Sequence, residues 1–360
     1  MWGFMRRKRL TNNRLLAMGA AIVLPFSLAT PALAAPDLSM DARTTLISTT
    51  FAGDIQMVRY EEAPSEAAIA TSIRQFNQSA KTVYLINPFV DASAATIAGA
   101  PKSQRPGPVL FTEKNGELSE RTLLEIARLC PETVVVVGEG VAEQAGASAR
   151  EFAQTARDNN GALTGQVELL TWQGESAEAT SNLIAEAIYS KGAKRVYLVG
   201  ADDENKDALA AIAGTMGDGP VLLVSKEHVQ QAKQIAASLE PDYVVGIGAL
   251  DPKLVDEVAG SFRKSSISGS VKSVALNAAT ARKVEKNSVT AVAAQDDPAS
   301  LILAAESASG PLIPLPADTS ETEAVATVLL TNKLTEASSK RFVVFGAKDP
   351  DGKLFKAVQK

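Results

Sequence analysis

Cysteine and histidine are nearly absent from this chain: Cys130 and His228 are the single examples among 360 residues. One thiol cannot close an internal disulfide, so packing alone must hold the fold. One Cys and one His also fall short of a structural zinc set. No Gly-x-Ser-x-Gly elbow, Gly-x-Gly-x-x-G turn or P-loop follows any apolar run, so the usual signs of acyl transfer, dinucleotide binding and nucleotide hydrolysis are missing. His228 follows Lys226 at the start of a predicted helix and reads as a surface residue. Cys130 ends a helix before Pro131 on a packed face; a reactive thiol would need an electropositive site and a base. Aromatics make up only 5% of the chain. Abundant Ala, Val, Leu and Ile fit helices packed on parallel sheets better than an antiparallel sandwich. Trp2 and Trp172 are too few and too far apart to form a stacking platform.

The amino terminus carries Arg6, Arg7, Lys8, Arg9 and Arg14 and no acid before Asp37. An apolar run from Leu15 to Leu28 and the small-residue site Ala32-Leu33-Ala34 complete the pattern of a secretory signal peptide. The run is interrupted by Pro25 and falls short of the roughly 20 apolar residues of a spanning helix. Residues 1–34 are therefore expected to be removed, by the general or the twin-arginine route, leaving a secreted protein with no membrane span. No Cys follows the cleavage site to take a lipid. Losing five positive charges and no negative one moves the formal charge from −5 to −10. That balance argues against nucleic acid or an anionic membrane as a generic partner.

The remainder repeats itself. Three β-rich runs, Val83–Asn87, Val196–Gly200 and Val289–Ala294, each lead into an alanine-rich helical stretch: Asp91–Ala100, Asp207–Thr215 and Pro298–Ser309. Each then meets a proline opening another apolar run: Pro108–Phe111, Pro220–Val224 and Pro311–Leu315. The spacing from first run to proline is 25, 24 and 22 residues. Amphipathic helices are expected next, over Leu118–Leu129, Glu227–Leu239 and Thr322–Ala337. Valine-rich runs then end on Gly138, Gly248 and Gly346. Upstream, each unit is expected to open with a strand and a helix: Asp54–Arg59 with Ser65–Phe76, Gln166–Trp172 with Ala177–Tyr189, and Val271–Leu276 with Ala278–Lys286. Continuous apolar strands imply parallel sheets covered on both faces. The chain thus divides into a signal (1–34), a lead segment (35–53) and three α/β units (54–165, 166–270, 271–360). Ala142–Gly165 supplies the last helix of the first unit, and Ser265–Ser270 is a serine-rich seam before the third.

This unit resembles the cell wall-binding repeat type 2 of Gram-positive surface proteins. The second unit carries the resemblance best, in Gly174-Glu175, Asp207-Ala208-Leu209-Ala210-Ala211, Pro220-Val221-Leu222-Leu223 and Gly248. The first keeps Arg59-Tyr60, Asp91-Ala92, Pro108-Val109-Leu110-Phe111 and Gly138. The third has Pro298-Ala299 for Asp-Ala, and Pro314 interrupts its strand. The resemblance implies three Rossmann-like or Toprim-like units packed as a pseudo-threefold trimer. It also implies noncovalent recognition of an anionic cell-wall polymer near the Pro-x-Leu-Leu segments.

Ligands of open α/β sheets bind beyond the strand carboxyl ends. The candidate contacts are therefore Pro108, Val109, Leu110 and Phe111 with Lys114, and Pro220, Val221, Leu222 and Leu223 with Lys226. The apolar members also have a plain role as core, and proline suits the first position of a strand. The third unit has Asp318 where a lysine would stand. Asp202-Asp203-Glu204 and Asp296-Asp297 read as helix caps and solvated loops more readily than as magnesium ligands. The sequence therefore points to a noncatalytic, exported cell-wall binding protein needing no cofactor or metal. An extracytoplasmic small-molecule binder is the alternative. A carboxylate-based glycan hydrolase would need a facing acid pair that no spacing supplies.

Overall fold

The computed structural model describes residues 47–346 except 53–54, 61–62, 91–93, 99, 102–103, 162–164, 282–287, 318 and most of 321–340. The expected signal peptide, Asp91, Asp318 and most of the helix expected over Thr322–Ala337 lie outside the described residues. The described residues belong to one compact unit, Ser39–Lys360.

The chain opens with β1 (Ile47–Ala52), β2 (Ile55–Tyr60) and α1 (Pro64–Gln75). It continues through β3 (Thr82–Ile86), α2 (Ala94–Ala98), β4 (Val109–Phe111), α3 (Glu120–Leu129), β5 (Thr133–Val137), α4 (Glu143–Asn160) and β6 (Glu168–Trp172). The same succession returns as α5 (Ala177–Ile188), β7 (Arg195–Gly200), α6 (Lys206–Gly214), β8 (Val221–Val224), α7 (Val229–Leu239), β9 (Tyr243–Ile247), α8 (Pro252–Ala259) and β10 (Arg263–Ile267). It returns once more as α9 (Val271–Ala281), β11 (Val289–Ala294), α10 (Pro298–Ser307), β12 (Leu312–Leu315) and β13 (Arg341–Phe345). Three sheets result, ordered β4-β3-β5-β6, β8-β7-β9-β10 and β12-β11-β13-β2-β1. All pairings are parallel except the β1–β2 hairpin, which adds an antiparallel strand to the third sheet. The fold class is the repeated α/β architecture the sequence implies.

The sheets are offset by one strand from the sequence repeat. The strand expected to open the second unit, β6, pairs with β5 of the first sheet, Val135 opposite Leu170. The strand expected to open the first unit, β2, lies beside β13 near the other end of the chain, Val58 opposite Val343. In the second sheet the corresponding strand is β10, Arg263–Ile267, which lies largely within the stretch read as a seam. The expected strand over Val271–Leu276 is instead the first part of α9. Its buried residues Val271, Val274, Ala275, Ala278 and Ala279 recur at helical spacing, so this apolar stretch packs as a helix.

Three small-residue helices occupy the centre. Helices α2, α6 and α10 pack against one another, and each also touches the first helix of the following repeat: α2 with α5, α6 with α9, and α10 with α1. That last contact closes the cycle and gives the arrangement its pseudo-threefold character. Ala208–Gly214 and Ala299–Glu306 are buried on every side, which alanine, glycine and serine permit by letting helix backbones approach closely. A continuous apolar core runs from Val58 and Tyr60 through all three sheets to Phe345.

The repeated prolines enter edge strands, where a missing N–H does no harm. Their carbonyls accept equivalent bonds from Tyr84 N (3.0 Å), Tyr197 N (2.9 Å) and Ala291 N (2.9 Å). Pro314 is likewise tolerated because β12 is an edge strand, paired only with β11. The glycines ending the valine-rich runs all have positive φ: 71° at Gly138, 77° at Gly248 and 63° at Gly346. A Cβ on Gly248 would stand 2.6 Å from Leu209 Cδ1 of α6, so glycine also lets this turn approach the central helix.

Candidate functional site

The ends of the edge strands β4 and β8 carry the candidate contacts. Val109, Leu110, Phe111, Val221, Leu222 and Leu223 are at most 2% exposed, and Pro108 and Pro220 are buried too. These side chains fill the core. What reaches solvent is the residue beyond each strand: Lys114 and Lys226 are both exposed. They stand on different sheets, each with its own surroundings.

Around Lys114 the loops are tied together from below. Buried Asn87 donates through Nδ2 to the Gly140 carbonyl (2.8 Å), and its Oδ1 accepts from Phe89 N (3.1 Å). Ala142 N donates to Gly116 O at 3.0 Å, joining the loops that follow β4 and β5. Phe89 is held 40% exposed, with Lys114 Nζ 5.4 Å from its ring centroid. This is a cation beside an open aromatic face.

Beside Lys226 the structure gathers a group that sequence reasoning missed. Ser225 Oγ donates to Glu178 Oε1 (2.8 Å), and His228 Nδ1 lies 3.1 Å from the same oxygen and 3.2 Å from Ser225 Oγ. Glu178 stands in the first turn of α5, whose Ser181 Oγ accepts from Leu223 N at 3.0 Å and so covers the open edge of β8. Burial alone would raise the Glu178 pKa. The donors around it, led by the Ser225 hydroxyl, overcome that and hold it below the ordinary carboxylate value. One imidazole nitrogen faces both partners, so the group is no nucleophile–base–orienter relay, which needs the two ring nitrogens in separate roles. His228, read as a surface residue, keeps a 38% exposed side chain and joins this polar group.

A folded-state pKa held low stabilises the protein above the unfolded value, and this contribution disappears as pH falls through the folded value. Ser225→Ala should therefore raise the Glu178 pKa and move the onset of acid unfolding to higher pH. Carboxyl-resolved NMR titration checks it, and an unchanged Glu178 midpoint would refute the assignment.

The contact recurs around the molecule. Glu66 of α1 pairs with Arg121 of α3 (2.9 Å), Glu178 with His228 (3.1 Å), and Lys272 of α9 with Glu323 (2.9 Å). The third pair has its signs reversed, so the three strand-end surfaces differ in local charge.

One residue of each acidic run is engaged in local structure. Asp297 caps α10, accepting from Ala299 N at 3.2 Å, and Asp203 Oδ1 accepts from Asn205 N at 2.8 Å. Among the described residues no group of three or more His, Cys, Asp or Glu is placed to hold a metal. Cys130 Sγ donates to the Ala127 carbonyl, and burial pushes its thiol pKa up, away from reactivity. No helix among the described residues is long and apolar enough to cross a membrane.

The chain is similar to Cwp6 from Clostridium difficile, with a TM-score of 0.63 and 17% identity over 82% of this chain and 46% of that one. It is also similar to Cwp8 from Clostridium difficile, with a TM-score of 0.60 and 16% identity over 84% of this chain and 50% of that one. The likeness is one of architecture, and this chain spans about half the length of either protein. No family model and no curated protein matches the sequence.

Proposed function

We propose that this is an exported, noncatalytic, cell wall-associated protein that binds an anionic wall polymer at more than one strand end. The observation that carries the reading is the pseudo-threefold array of α/β sheets, shared in fold with Cwp6 and Cwp8, which are cell wall proteins. The resemblance of the Pro-Val-Leu-Leu and Asp-Ala-Leu-Ala-Ala segments to cell wall-binding repeats supports it. Lys226 beside β8 and Lys114 with Phe89 beside β4 offer exposed cations held on a rigid frame. Two weak sites on one body raise the effective concentration at the second once the first is engaged. Such binding tolerates an overall negative charge because the contacts are local, and it weakens as salt screens them.

The test is co-sedimentation of the mature protein with purified cell walls across a salt titration. Lys226→Gln and Lys114→Gln should each weaken retention about fivefold, the effect of roughly 1 kcal/mol for an exposed charge contact. The double variant should lose more than either and show a flatter salt dependence. Wild-type protein that fails to sediment with walls at low salt would sink the proposal.

A further inference from the structure

The second sheet has an opening at its other end. A cavity of about 830 Å³ lies beside the amino ends of its strands, bounded by Lys194 before β7, Asp218 before β8 and Asp242 before β9. Tyr189 and Lys191 after α5 and Glu240 after α7 complete the charged and phenolic lining. This is the face opposite Lys226, and nothing in the wall-binding reading uses it.

Tyr189 is the informative member. It is only 4% exposed, and it lines the cavity. A buried tyrosine hydroxyl ordinarily finds a hydrogen-bond partner. Its neighbour Tyr197 does, donating to Asp218 Oδ1 at 2.6 Å, while Arg195 pairs with the other oxygen of Asp218. Asp218 is thereby fixed in the wall. Burial, reinforced by the Asp218 charge, pushes the Tyr189 pKa far above its usual value, so the phenol keeps its proton to donate.

The lining sets the ligand's chemistry. Its surface is mainly polar, so an apolar molecule would gain little. An anion would meet Asp218, Glu240 and Asp242, and a cation would meet Lys191, Lys194 and the neighbouring Arg195. Lys191, Lys194, Glu240 and Asp242 are exposed and form no ion pair with one another. Hydroxyl groups both donate and accept, so a neutral polyhydroxylated molecule can satisfy carboxylates and ammonium groups together. We propose that this cavity is a binding site for a neutral saccharide, with the Tyr189 hydroxyl donating into it.

The experiment titrates the mature protein with glucose, N-acetylglucosamine, maltotriose and chitotriose, following backbone amides by NMR, with inorganic phosphate as the anionic control. At least one saccharide should saturably shift Gly192, Lys194 and Gly217 at millimolar concentration, with an affinity indifferent to salt. Tyr189→Phe should weaken it roughly three- to tenfold, the worth of one hydrogen bond. Asp242→Asn, at an exposed position that the fold does not depend on, should also weaken it. No binding by any of the four sugars overturns the proposal, as does binding that both variants leave unchanged or that shifts residues around Lys226 instead. Loss of wall retention in Lys226→Gln bears only on the opposite face, so the two readings can fail separately.

Discussion

Replacing Arg105 by alanine should cost about 3–5 kcal/mol of stability, the usual consequence of stranding one partner of a buried ion pair. Arg105 lies between α2 and β4 and is completely buried, with Nη2 3.5 Å from Glu306 Oε1. Its Nη1 donates to the Gly107 carbonyl at 2.6 Å, and the guanidinium carbon stands 5.7 Å from the Tyr84 ring centroid. Glu306, 3% exposed, belongs to α10 and accepts from Val109 N of β4 at 3.1 Å. Gln75 at the end of α1 donates to the Glu306 backbone carbonyl at 3.3 Å. This one contact joins the third repeat's central helix to the first repeat's edge strand, where the cycle of repeats closes. Alanine takes the Arg105 charge away from this buried carboxylate. Exchanging both residues, Arg105→Met with Glu306→Leu, should recover much of the loss, because neither charge then needs desolvation. The recovery will be incomplete, since the Val109 N–H loses its acceptor. Urea unfolding checks the cycle: the single variants should move the midpoint with the slope unchanged, and their costs should not add in the double variant. An Arg105→Ala protein within 1 kcal/mol of wild type would refute it.

Most strands were legible because parallel strands covered on both faces must be apolar throughout, as in Thr133–Val137 and Arg195–Gly200. The glycine after each valine-rich run was legible too, although its steric reason, the approach of Gly248 to Leu209, was not. Strand β10 escaped notice because Arg263, Lys264, Ser265 and Ser266 are exposed at a sheet edge and give no hydrophobic signal. Nothing in hydropathy says which sheet a strand will join. The offset that sends β6 back to the first sheet and β2 to the third is a property of the closed cycle. At the candidate site, Lys114 and Lys226 could be placed from strand polarity alone. Glu178 could not, being 47 residues from Ser225 and brought to it because the crossover lays α5 along β8. The recurring contacts of Glu66, Glu178 and Lys272 use different residue types in each repeat, so no common residue pattern announced them.

Gly219→Ala should be at least as costly as most core truncations, at about 3 kcal/mol or more, although it adds a single methyl group. Glycine precedes the strand-opening proline in all three repeats: Gly107-Pro108, Gly219-Pro220 and Gly310-Pro311. A Cβ on Gly219 would overlap the Arg195 backbone carbonyl oxygen, and one on Gly107 would overlap that of Thr82. These atoms are main chain at the start of β7 and β3, and cannot rotate away as a side chain could. The proline that follows is fixed by its carbonyl bond to Tyr197 or Tyr84, so relief would have to break the first rung of the sheet. In the third repeat the same glycine stands further off. A Cβ on Gly310 would lie 3.0 Å from Ser288 Oγ and 3.1 Å from the Val289 carbonyl, distances that a shift of a few tenths of an ångström relieves. Alanine also restricts the unfolded chain, an offset of about 0.4–1 kcal/mol where the conformation is compatible. Gly310→Ala should therefore stay within about 1 kcal/mol of wild type, while Gly107→Ala and Gly219→Ala are severely destabilised. Thermal and urea unfolding of the three variants side by side measures the difference. Equal losses at all three positions would show that proline, rather than the close approach of the glycine before it, sets the entry of these edge strands.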